Sequence, residues 1–88
     1  MNNQRRKQIE SIKGRISALL SEAENIKTDV EAIRDDEQEY RDNMPESLAD
    51  GEKGEKADTA IAALEQVIED LESLIESDFD GQLDTAAE

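Results

Sequence analysis

The sequence has no cysteine, histidine or tryptophan, and its 88 residues include one proline, one tyrosine and one phenylalanine. Without cysteine, neither a disulfide framework nor a thiolate metal site can reinforce so small a fold. Without histidine the chain lacks the side chain that titrates near neutrality and the usual imidazole ligand. Without tryptophan it lacks a favoured interface anchor. No apolar run approaches the roughly 20 residues that span a bilayer, and no hydrophobic segment follows the charged N-terminus. The expectation is a soluble, intracellular protein with no membrane partner, no catalytic residues and no cofactor.

Charge is abundant and one-sided. Ten cations face 24 carboxylates, a net charge of −14 with a pI near 4.2. Repulsion from nucleic acid and anionic membranes follows, as does attraction to basic proteins. Such a composition is also that of disordered segments, and periodicity separates the two cases. Apolar residues recur at Ile9, Ile12, Ile16, Leu19, Ala23, Ile26, Val30 and Ile33, then at Tyr40 and Met44, with only Glu37 interrupting. The alternating steps of three and four define a heptad with Ile9, Ile16, Ala23, Val30 and Met44 at a, and Ile12, Leu19, Ile26, Ile33 and Tyr40 at d. This predicts one helix over about residues 4–42.

Pro45, Gly51 and Gly54 close that pattern and make 43–50 a connector, with Pro45 suited to a short helical turn and Asp50 to an N-cap. A second helix is expected over about 51–77. Its apolar face is wider: Ala57, Leu64 and Leu71 at a, Ala60, Val67 and Leu74 at d, and Ile61, Ile68 and Ile75 at e. A helix apolar at a, d and e generally touches more than one neighbour. Residues 79–88 show no period and are expected to be a flexible acidic tail, with Phe79 and Leu83 able to cap a neighbouring core. The fold class is therefore all-α: a coiled-coil-like, two-helix antiparallel hairpin over residues 1–78.

The second helix is shorter than the first, so the first should overhang. The overhang carries Arg5, Arg6, Lys7, Lys13 and Arg15, giving residues 1–20 a charge of +4, against −8 for residues 21–50 and −10 for residues 51–88. Either the acidic tail or a second copy could cover it. The second copy is the favoured reading: a homodimeric bundle self-associating through Ile9, Ile12, Ile16, Leu20, Ile61, Ile68 and Ile75. Direct binding of nucleic acid by the basic stretch is disfavoured by the acidity of the rest and the lack of aromatic platforms.

Glu55, Asp58, Glu65, Glu69, Glu72 and Glu76 follow steps of three and four on the second helix, which sets carboxylates about 5–6 Å apart on one side. Asp35, Asp36, Glu39 and Asp42 add to them from the first. This spacing suits a surface that imitates nucleic-acid phosphates, and also suits an ordinary solvated face. No lysine or arginine follows Lys56, which is unusual for the latter. Glu76, Asp78, Asp80 and Gly81 imitate the start of a calcium loop, but the twelfth place holds Ala87 rather than glutamate, so no metal is expected. Acid-base catalysis has no support beyond the abundance of carboxylates.

Asn43, Pro45, Glu46, Leu48, Gly51 and Glu52 form an Asn-x-Pro-Glu-x-Leu connector followed by Gly-Glu and a heptad-bearing helix. Over residues 40–74 the chain thereby resembles short acidic helical proteins of tailed phages and prophages. The resemblance implies a phage origin, and so the cytoplasm of an infected bacterial host; the acidic surface, by analogy with small acidic phage proteins that inhibit host defence, adds the expectation of an accessory protein that binds and inhibits a host defence or nucleic-acid-handling protein. The alternatives are a structural or assembly coiled coil, and an oligomeric sponge holding an anionic ligand through Arg5, Arg6, Lys13 and Arg15.

Overall fold

The structure, a computed structural model, describes all residues from Met1 to Glu88. It is entirely helical. Helix α1 spans Asn3–Asp42, α2 Glu46–Ala49, α3 Glu52–Glu76 and α4 Phe79–Ala87. The molecule measures 68 × 16 × 13 Å, and its radius of gyration of 20.1 Å far exceeds the ~12 Å of a compact domain of this length.

Local chemistry sets each boundary. Asn2 caps α1 by accepting a hydrogen bond from the Arg5 amide at 2.8 Å. Pro45 lacks an amide hydrogen and cannot continue α1, but its carbonyl accepts from Leu48 and Ala49 and starts α2. Gly51, not Asp50, is the N-cap of α3, with no side-chain cap bond; Asp50 instead closes α2. Glu52 and Glu55 stand in the first turn of α3, where the helix dipole favours negative charge.

Residues 79–87 are helical, not an unstructured tail. Asp78 ends the extended step after α3, and its carboxylate accepts from the Gly81 amide at 3.1 Å. The turn so capped brings Phe79, Leu83 and Ala87 onto one half-buried face.

Three ion pairs mark the register. Arg41 meets Asp58 at 2.8 Å, Lys27 meets Glu72 at 3.2 Å and Lys13 meets Asp84 at 2.6 Å. As residue number rises along α1 it falls along the other strand of the rod, so α3 and α4 run antiparallel to α1. The overhang is accordingly covered within the chain. Arg6 donates from Nε to the Ala87 carbonyl at 2.9 Å and from Nη2 to the Glu88 carbonyl at 3.2 Å. The acidic tail thus lies over part of the basic end, where α4's terminal carbonyls and Asp84 meet Arg6 and Lys13.

The seam between the two strands uses heptad rows a and e, not a and d. On α1 the buried and half-buried residues of rows a and e are Ile9, Lys13, Ile16, Leu20, Ala23, Lys27, Val30, Arg34, Glu37 and Arg41, continued by Met44 just past the helix; Glu31 and Gln38 of row b are half-buried beside them. On α3, Gly54, Ala57, Ile61 and Ile68 are buried, with Leu64, Leu71 and Ile75 half-buried; of row d, Ala60 and Leu74 are half-buried at the margin and Val67 is exposed. The large β-branched residues of α3 stand at e, so its contact face is centred there. Of the e cations of α1, Lys13, Lys27 and Arg41 lay apolar stems over the seam while their charged heads reach α3 and α4; Arg34 pairs with Asp35 of its own helix. Only five residues of 88 are buried, a small core by any standard.

Gly54 is fixed by packing: a Cβ there would collide with the Ala49 carbonyl, whereas a Cβ at Gly14 meets nothing within 4 Å. Ala ordinarily stabilises a helix relative to Gly. Gly14→Ala is therefore expected to raise the unfolding free energy by about 0.5–1 kcal/mol, and Gly54→Ala to lower it by about 1–3 kcal/mol. Urea unfolding followed by circular dichroism checks both; stabilisation by Gly54→Ala would contradict the tight α2–α3 junction.

Candidate functional site

The ten carboxylates read as one acidic surface do not share a face. On α3, Asp58, Glu65 and Glu72 occupy row b, and Glu55, Glu69 and Glu76 row f, the flank and back of the helix away from the seam. Two of these six are engaged inside the chain, Asp58 by Arg41 and Glu72 by Lys27. Glu55, Glu65, Glu69 and Glu76 are exposed and form no ion pair. On α1, Asp35 pairs with Arg34 at 2.9 Å, and Asp36 and Glu39 stand on the opposite flank of the rod.

Three ion pairs dominate the electrostatics. Hydrogen bonding to Asp84 holds the Lys13 ammonium above its ordinary pKa against a smaller desolvation effect. Glu72 does the same for Lys27, with Glu31 and Glu24 adding attraction, and Asp58 for Arg41. The hydrogen bond from Arg41 in turn holds Asp58 below the usual carboxylate range. These shifts have opposite consequences for stability. The lysine contribution is whole below pH 10.5 and is lost as pH rises through the folded values. The Asp58 contribution is whole above pH 3.8 and is lost as pH falls.

The residues expected to mediate self-association lie mostly inside one molecule. Ile61 and Ile68 are buried, and Ile9, Ile16, Leu20 and Ile75 are half-buried along the seam or beneath α4; of the seven, Ile12 alone is exposed. What the chain leaves outside is row d of α1. Ile12, Leu19, Ile26, Ile33 and Tyr40 are between 41% and 56% exposed, and Val67 of α3 is 43% exposed. The signal for this was the e row: Lys13, Lys27 and Arg41 recur every fourteen residues, on the side where an acidic helix would be drawn.

Two clefts interrupt the rod. One, about 450 Å³, opens where α3 gives way to α4, between Ile16, Leu20, Ile75 and Phe79, and is rimmed by Glu24, Asp78 and Asp80. The other, about 470 Å³, lies at the connector end between Tyr40, Met44, Pro45 and Leu48, rimmed by Asp36 and Glu39. Neither has a cation in its lining. At the basic end Arg6 and Lys13 already serve α4, and Arg5, Lys7 and Arg15 stand in the open. No cluster of carboxylates is disposed to hold a metal ion, and Asp78 is committed to its cap. No helix is long and apolar enough to cross a membrane.

If Lys13 and Lys27 clamp α3 and α4 to α1 as these shifts require, the melting temperature falls as pH is raised from about 9 to about 12. It is expected to fall less in the Lys13→Met, Lys27→Met double variant. Equal slopes in a circular dichroism melt series would show that the pairs contribute nothing. Comparison with known protein families, curated proteins and solved structures gives no match.

Proposed function

We propose that the protein acts by binding rather than by catalysis: a phage accessory protein whose rigid acidic rod occupies the basic surface of a host defence or nucleic-acid-handling protein and blocks it. One observation carries this reading: the outward rows of α3 offer Glu55, Glu65, Glu69 and Glu76 unpaired, with no cation anywhere beyond Lys56. Helical spacing gives these carboxylates a regular interval, and ion pairs tie α3 to α1, so the charge is presented without the ordering cost of a flexible acidic segment. Asp58 and Glu72 support the presentation rather than the contact. The connector resemblance, at Asn43, Pro45, Glu46 and Leu48, supports the phage setting.

A structural or assembly role is the second reading, favoured by the 68 Å length and by the apolar row along α1. The sponge reading loses its motive, since α4 occupies Arg6 and Lys13.

Affinity capture from bacterial lysate at low and raised salt tests the first reading. Capture of a basic protein that weakens as salt is raised, and that is lost in the Glu65→Lys, Glu69→Lys, Glu76→Lys variant, is the expected outcome. Capture that survives the triple reversal and tracks Ile12→Asp instead would transfer the function to the apolar face.

A further inference from the structure

The apolar row on α1 is one side of a two-helix face. Both helices contact each other through rows a and e, and in an antiparallel pair row d then falls on the same side of the seam in each. Ile12, Leu19, Ile26, Ile33 and Tyr40 of α1 are joined on that side by Val67 of α3. Row g borders it on the outer side and is charged, with Arg15, Glu22, Asp29 and Asp36 on α1 and Asp70 on α3, while the row beyond it on α1 holds Ala18, Asn25 and Ala32. The connector groove opens on the same side, since Tyr40, Asp36 and Glu39 line it. The opposite side carries the ion pairs and the acidic rows of α3. The rod thus has one apolar face and one acidic face.

We propose that a second copy of the chain covers the apolar face, antiparallel across a two-fold axis at the level of Ile26, forming a four-helix dimer. Centring on Ile26 is the register that matches the whole row: Ile26 meets itself, Leu19 meets Ile33 and Ile12 meets Tyr40. The ends then match in charge. Arg15, unpaired within the chain, reaches the level of the second copy's Asp36, and Arg5 reaches the second copy's connector groove with its rim of Asp36 and Glu39. A parallel pairing would instead set the +4 ends together and the acidic ends together. Glu22 and Asp29 are the one like-charge meeting near the centre.

The size fits. The row covers 28 residues, or about 42 Å of helix, on a rod 16 Å wide. That is about 670 Å² of projected face for each copy, near the lower bound of specific interfaces. An interface that uses row d leaves the seam, α4 and the acidic rows of α3 undisturbed. The proposal is therefore independent of what the acidic face binds.

Light scattering over a range of concentrations is expected to give twice the 9.8 kDa chain mass, and Ile26→Asp to give the chain mass with helicity intact. Because the chain has no cysteine, single thiols report geometry without background. With a short bismaleimide, Ile26→Cys is expected to cross-link to itself. Ile12→Cys alone should not, its two copies being about 42 Å apart, but should cross-link when mixed with Tyr40→Cys. A wild-type monomer at every concentration would overturn the proposal and leave the face to a foreign helix. Self-cross-linking of Ile12→Cys would overturn the antiparallel arrangement.

Discussion

The row of cations at every e position but one along α1 is the constraint on which the rest of the structure depends. Lys13, Lys27 and Arg41 each reach across to a carboxylate, Asp84, Glu72 and Asp58. Exposed ion pairs contribute little individually, yet these act with the isoleucines of α3, which lie at e of their own helix and bring that flank inward. Together they rotate the contact from rows a and d to rows a and e. Everything outside follows from that rotation: row d of α1 is displaced from the core and emerges as an apolar stripe, and the unpaired glutamates of α3 face the other way.

The rotation also resolves how a chain of net charge −14 folds on itself. Its cations are not scattered as solubilising charge. Three secure the strands, and Arg6 binds the carbonyls that end α4, where the negative end of a helix dipole favours a cation. The basic N-terminal stretch is thus met by α4, whose Asp78 cap and short apolar face let nine residues fold where the composition alone suggests none. What remains uncompensated is acid on the back of α3, and a core of a few residues too small to leave the apolar stripe without consequence.

Much of this was legible in the sequence. The heptad of α1 and the wide apolar face of α3 locate those two helices to within a residue or two, and Pro45 marks a short helical turn inside the connector. Two things were not. Asp78 reads as part of an acidic run until its carboxylate is seen to cap a turn, so α4 was hidden in a segment with only Phe79 and Leu83 to mark a face. The choice of seam was hidden because rows a, d and e are all apolar on α3, while on α1 the apolar rows are a and d and row e is cationic except at Leu20. The hydrophobic period of α3 allows either pairing, and the decisive information lies in charges fourteen residues apart. The isoleucines expected at an interface between copies consequently lie within one chain, while Leu19, Ile26 and Ile33, expected in the seam, lie outside it.

The methyl contacts of Ile68 test this account most directly. Methyl NOE spectra of an isotopically mixed sample, which separates contacts within a chain from those between chains, should connect Ile68 to Val30 of its own α1. They should show no intrachain connection from Ile68 to Ile26 or Ile33. Intrachain cross-peaks from Ile68 to Ile26 and Ile33 would place row d in the seam and contradict the account.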